Sequence, residues 1–152
     1  MSEPVLLTRN RIFKALLALA DNAAWNGQGF KSRARKYRDP MDFDPSELPA
    51  LIQIEPTEQP AATSGMPYKR TFHCVWLIYF ATDVSDATDI GAELMSDILD
   101  AIQGVIAPPG PDDMQTLGGL VHNVTISDMI YKVAGDDTGA GMIVVPLQII
   151  AP

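Results

Sequence analysis

The longest apolar run of this chain, Thr71 to Ala81 (TFHCVWLIYFA), fills both faces of a strand. At period two, Phe72, Cys74, Trp76, Ile78 and Phe80 fall on one side and His73, Val75, Leu77 and Tyr79 on the other. A half-exposed strand alternates apolar with polar, so a run apolar on both sides belongs to a strand covered on both faces. It is predicted as the central strand, with a helix of this chain on one face. The second face, carried by Val75, Leu77 and Tyr79, is expected to meet a neighbouring subunit, with the first helix as the alternative cover.

Upstream, Thr8 is an N-cap candidate, and Ile12, Phe13, Leu16, Leu17 and Ala20 follow at the spacing of one helical stripe. That helix should end between Asn22 and Gly29, where Asn-Gly and a second Gly break it. Phe30 to Arg38 alternates as an edge strand with Lys31, Arg33, Arg35 and Tyr37 on one face. Three prolines in DPMDFDPSELP (39–49) exclude a regular element, and Ala50 to Glu55 then predicts a short strand with Ala50, Ile52 and Ile54 inward. Pro56 to Pro67 is a loop of small residues, Pro and Gly.

Downstream, Asp86 is positioned to cap a helix running from Ala87 to about Ile106, with Ile90, Leu94, Ile98, Ile102 and Val105 as its core stripe. Its other face carries Asp89, Glu93, Asp97 and Asp100 with no Lys or Arg, although like charges four residues apart repel. A proline- and glycine-rich loop (107–119) leads to a half-exposed strand over Leu120 to Ile130. The turn at 134–141 then permits a hairpin into Met142 to Ile150, where Pro146 predicts an edge position or a bulge. The order α-β-β-β-α-β-β predicts an α+β fold: a single mixed or antiparallel sheet of about five strands with two helices packed on it. At 152 residues this is expected to be one domain spanning 1–152.

Charge changes the picture more than composition does. The net charge of −8 divides unevenly, because residues 1–40 hold eight Lys or Arg against three acids, a balance of +5. The other 112 residues hold three basic groups against sixteen acids, a balance of −13. Two surfaces of opposite sign favour head-to-tail contacts with copies of the chain or with charged partners. The acidic total argues against general nucleic-acid binding. No apolar run approaches the roughly 20 residues that span a bilayer, and MSEPVLLTRN lacks a basic flank, so no membrane association and a cytosolic, unprocessed protein are expected.

Catalytic groupings are missing from the pattern. Neither GxxxxGK nor GxGxxG occurs. His73 and the single cysteine, Cys74, point to opposite faces of one strand, and even with His122 they fall short of the four ligands of a structural zinc site. Cys74 reads as a small buried hydrophobe. Ser64 and Ser127 lack a nucleophile-elbow context. No catalytic residue, metal or cofactor is expected, and interaction is favoured over enzymatic activity.

Three stretches, in order and spacing, resemble the tail terminator proteins of long-tailed bacteriophages, related prophages and gene-transfer particles. They are FKSRARKYRDPMDFDPSELPALIQIEPTEQ (30–59), the polar-to-aromatic start of the central strand from Tyr68 to Tyr79, and QTLGGLVHNV (115–124). The resemblance covers most of the chain from residue 8 onward, and the loops at 56–67 and 107–119 depart from it in their proline content. It implies a small α+β virion subunit, assembled in the host cytoplasm and located at the neck end of the tail. Such subunits form a six-membered ring on the completed tail tube, stop its polymerisation, and present the surface that joins the head connector or stopper protein.

On that resemblance, Lys31, Arg33, Arg35, Lys36 and Arg38, together with Thr63, Ser64, Gly65 and Met66, are candidates for docking to an adjacent subunit or to the tube. Asp89, Glu93, Asp97 and Asp100 are candidates for facing a channel that passes DNA without binding it specifically. Two alternatives stand beside it: a neighbouring head-tail connector or tail-completion subunit, and a free-standing binding module or small enzyme on the same architecture.

Overall fold

The computed structural model describes residues 5–61, 69–106, 114–133 and 139–152, and the side chains of all of these except 5–7 and 61. The elements are α1 (Val5–Ala18), β1 (Ser32–Ala34), β2 (Ala50–Ala61), β3 (Lys69–Ala81), α2 (Gly91–Ile106), β4 (Asn123–Ile126), β5 (Tyr131–Val133) and β6 (Ala140–Ala151). The fold is α+β, as the patterning predicts. Its one mixed sheet of six strands has the order β1-β2-β3-β6-β4, with β5 also paired to β6. Only the β1–β2 pair is parallel.

The Thr71–Ala81 run lies within β3, at the middle of the sheet. One of its faces forms the core. Phe72, Cys74, Trp76, Ile78 and Phe80 cluster there with Ile143, Val145, Leu147 and Ile149 of β6 and with residues of both helices. The rings of Phe13 and Phe72 meet at 5.4 Å, which seats α1 on this face. Met95, Ile98, Ile102 and Ile106 seat α2 on the same face. The first helix therefore does not cover the second face of β3.

A polar bridge within the core fixes α1 to the sheet. Gln53 of β2 is fully buried; its Nε2 donates to the Phe13 carbonyl and its Oε1 accepts from Trp76 Nε1, both at 2.9 Å. Burying this amide costs little because both ends are hydrogen-bonded. Of the set predicted to point inward, Ala50 and Ile52 are buried and Ile54 half-buried, but on the face away from the helices. Leu51 and Gln53 face the helices, since they pair with Ile78 and Trp76, and Ala50, Ile52 and Ile54 share the other face with Tyr79, Leu77 and Val75.

Pro146 sits inside a strand paired on both sides without breaking it. Its carbonyl accepts from Ser127 N, so its ring nitrogen faces the same way, into the gap between β4 and β5. No bond to β3 is lost there. The partner strand carries Val75 opposite it.

Candidate interaction surfaces

The second sheet face combines Ile54 of β2, Val75 and Leu77 of β3, and Met142, Val144 and Pro146 of β6, all half-buried. No helix among the described residues lies over it. β5 extends the face at the edge, where Tyr131 and Val133 pair with Val144 and Met142 and stand 65% and 38% exposed. Tyr79 differs from its two neighbours. It is only 4% exposed because Phe43 packs edge-on against its ring at 5.6 Å. Of the three residues expected to meet another subunit, Tyr79 is thus covered by its own chain, and Val75 and Leu77 stay open.

The cover is a strap built from residues 37–48. Asp39 accepts from Met41 N ahead of a short 3-10 turn at Pro40–Asp42, and Asp44 and Glu47 form a reciprocal capping box around a second turn at Pro45–Glu47. Arg38 binds the strap together. It donates to Glu47 and to the Asp42 carbonyl, and its guanidinium lies 4.1 Å from the centre of the Phe43 ring. The Arg38 hydrogen bond holds the Glu47 carboxyl below its ordinary range. Burial, then the neighbouring Tyr37, pushes the Tyr79 hydroxyl up to about 12. Met41 tops the strap, 89% exposed.

The basic segment is less available than its spacing suggests. Only Ser32–Ala34 is a strand, and the arginines turn back onto the chain. Arg33 pairs with Asp21 and donates to the Phe30 carbonyl; Arg35 pairs with Glu55 and donates to Asn10; Arg38 holds the strap. Lys31 and Lys36 are exposed and form no ion pair among the described residues. Thr63, Ser64, Gly65 and Met66 lie outside the described residues.

The acidic band is also redrawn. Asp83 and Asp86 each accept from the backbone N–H and the hydroxyl of the residue two positions on, Ser85 and Thr88. Those hydrogen bonds hold both carboxyls below their ordinary range. Such local turns compete with helix, and α2 begins at Gly91 rather than at Ala87. Asp89 is therefore not on the helix; its Oδ2 accepts from Asp83 N. Glu93 and Asp100 are exposed on α2, and Asp97 accepts from Asn26 Nδ2 at 3.1 Å.

Asn26 belongs to a two-residue turn. Trp25 and Gln28 exchange both backbone hydrogen bonds, and Asn26 and Gly27 take φ of 50° and 76° between them. An Asn-Gly pair suits this geometry because both tolerate positive φ. The turn faces the first part of α2 across a cleft of about 400 Å³ lined by Trp25, Asn26, Gln28, Asp89, Glu93 and Asp97, among others.

His73 is half-buried on the second face, Cys74 is buried in the core and His122 is exposed, so the sheet does not bring the three together. Burial pushes the Cys74 thiol up, away from reactivity. No protein-family model matches the chain, and no curated protein matches it either.

Sequence reasoning missed β5, the Trp25 cleft and the packing of the 37–48 strap over Tyr79, although the prolines of 39–49 do mark an irregular turn segment. The strap was readable in part, since Asp-Pro occurs twice and Glu47 follows Asp44 at capping-box spacing. The cleft left no such signal, because its walls are far apart in the chain.

Proposed function

We propose that this chain is the tail terminator subunit of a long-tailed bacteriophage or a related particle. It forms a ring, six-membered in the resembled family, that stops growth of the tail tube and joins the head connector or stopper protein. The observation that carries the proposal is the division of labour across the sheet. Both helices pack on one face, and the other presents Val75, Leu77, Val144 and Tyr131 with no helix over it among the described residues. Leaving such a face wet is costly, because burying one Leu or Tyr side chain contributes roughly 1.5 to 3 kcal/mol. A second copy is a suitable cover.

The acids add to this reading. Glu93 and Asp100 are exposed on α2 without a basic partner among the described residues, which suits a channel wall passing DNA, since basic groups there would add salt-dependent affinity for phosphate. The function proposed is structural, with no enzymatic activity and no cofactor.

Electron microscopy of the purified chain, alone and with tail tubes, tests the proposal. A ring seated at one tube end is the expected result. A ring found only on the portal side makes the chain a connector instead, and a persistent monomer indifferent to tubes overturns the proposal.

A further inference from the structure

The sheet face turned away from the helices is almost free of charge. In a chain with 20% charged residues, the strand register places no described Asp, Glu or Arg on that face, and its one lysine is Lys69, at the very start of β3. Glu55 lies in the bulge between Ile54 and Thr57 and turns to the helix side, where it pairs with Arg35, which also donates to Asn10 of α1. Subunit interfaces are depleted of charge at their centres in the same manner. Two copies of a chain of net charge −8 repel each other least where neither presents a carboxylate, so this face suits a second copy as its cover.

One group that changes charge near neutral pH stands on the face, His73 of the middle strand, half-buried. Its cross-strand neighbours are Thr57 of β2 and Gln148 of β6, with Thr71 and Val75 beside it along β3 and Thr125 of β4 beyond Gln148. No described acid forms an ion pair with it. The charged groups of the surrounding elements are distant or turned away. Lys69 is four residues off along β3, roughly 13 Å, and the acids of the strap lie at the Tyr79 end, roughly 20 Å off. Glu58 and Arg70 share the helix side with Phe72, and Lys132 of β5 shares it with Ile143. Asp128 sits in the turn between β4 and β5, at the outer edge of the sheet. Val75 and Pro146 begin the apolar part of the face immediately beside His73, so a cover that reaches them also closes over the imidazole.

We propose that self-association of this chain is proton-linked through His73: the face closes against a second copy with the imidazole neutral, so the ring forms at neutral pH and loosens in acid. The inference rests on the functional reading above, which supplies the second copy, and adds the condition under which the joint holds. A neutral imidazole suits the hydroxyl of Thr57 and the amide of Gln148, whereas an imidazolium covered among uncharged groups loses its hydration with no counter-charge in return. The associated state therefore binds fewer protons than the free subunits, and association strengthens as pH rises. General charge acts in the opposite sense, because acid reduces the negative charge of each copy and with it their repulsion. The sign of the dependence separates the two.

Sedimentation velocity at about pH 7.5 and about pH 5.5, at one salt concentration, is the test, with tube capping followed by electron microscopy under the same conditions. Carboxylates of ordinary strength stay ionised across this window, and the only other histidine of the chain, His122, is exposed. Wild-type association is expected to weaken about tenfold at the lower pH, the effect of one ordinary imidazole that has to be neutral. His73→Gln should associate to within about threefold of the wild type at the higher pH and lose the dependence, and His122→Gln should keep it. If His73→Gln loses its native circular dichroism, dilution calorimetry of the wild type in two buffers of different ionisation enthalpy replaces it, with proton uptake expected on dissociation. Association equally strong at both pH values or stronger in acid, a His73→Gln protein that keeps the dependence, or dilution without proton uptake overturns the proton link and leaves the functional reading standing. A wild type that neither self-associates nor caps tubes at either pH overturns both.

Discussion

Replacing Gln53 by Leu should test whether the buried amide, rather than apolar packing alone, ties α1 to the sheet. The side chain is fully buried and bonded at both ends, to the Phe13 carbonyl and to Trp76 Nε1. Leucine has similar volume, so little cavity forms. The Phe13 carbonyl loses one partner of two, because it also lies within the hydrogen-bonded run of α1. Trp76 loses its sole acceptor in a site without water access, and an orphaned buried donor costs about 1 to 3 kcal/mol. Allowing for the apolar gain from Leu, the net loss is about 2 kcal/mol, a sizeable share of the roughly 5 to 15 kcal/mol that stabilises a domain. Urea unfolding followed by far-ultraviolet circular dichroism measures it. In a cycle with Trp76→Phe, the double variant should be more stable than the sum of the singles implies by about 1 kcal/mol or more, because the orphaned donor is gone. A Gln53→Leu protein within about 0.5 kcal/mol of wild type, or a cycle that closes additively, would refute the reasoning.

Phe43→Ala should release the strap from the sheet and return the Tyr79 hydroxyl from about 12 towards its ordinary value of 10.0. Phenolate absorbance against pH, taken as a difference from Tyr79→Phe, reads this, and an unshifted titration rules out the strap as the cover. At the far end of β2, Arg9 donates to both oxygens of Glu58 at 2.8 Å and holds its carboxyl below the usual 4.5. A depressed carboxylate stabilises the fold above the unfolded value and loses that stabilisation as pH falls through the folded one. The melting temperature should therefore decline below about pH 4.5, and Glu58→Gln should flatten the decline, by no more than about 0.5 kcal/mol since the pair is partly exposed. Identical acid limbs for the two proteins would count against the pair.

The central strand was legible because eleven residues apolar on both faces leave no other option, and the two helices because their stripes are long. What failed were boundaries and facings decided by side-chain hydrogen bonds. Asp83 and Asp86 engage Ser85 and Thr88 and delay α2 by four residues, which removes Asp89 from the acidic face and leaves Ile90 exposed. Ala50, Ile52 and Ile54 alternate as a core face would, yet Gln53 takes the core side because Trp76 and Phe13 supply both of its partners. β5 is three residues with every side chain exposed, so no burial pattern marks it. Gly141 lies directly under the Phe80 ring, where a Cβ would come within 2.2 Å; the strand sequence carries no hint that its core-facing residue had to be the smallest.

The basic segment shows why a run of like charges is weak evidence of a partner. Lys31, Arg33, Arg35, Lys36 and Arg38 look like one surface when spaced along a strand. The backbone leaves strand geometry after Ala34, and the arginines separate to three different acids, Asp21, Glu55 and Glu47. Arg35 also lies 5.6 Å from the Phe13 ring, so it ties β2, α1 and the loop between them. Reversing Arg33 and Arg35 would set new carboxylates beside Asp21 and Glu55, and repulsion within the subunit would come before any effect on docking. Among the described residues of this segment, Lys31 and Lys36 are exposed and form no ion pair, and a lysine offers a flexible point charge and not the fixed fork of an arginine. Within this segment the arginines hold the subunit together, and the lysines are left at its surface.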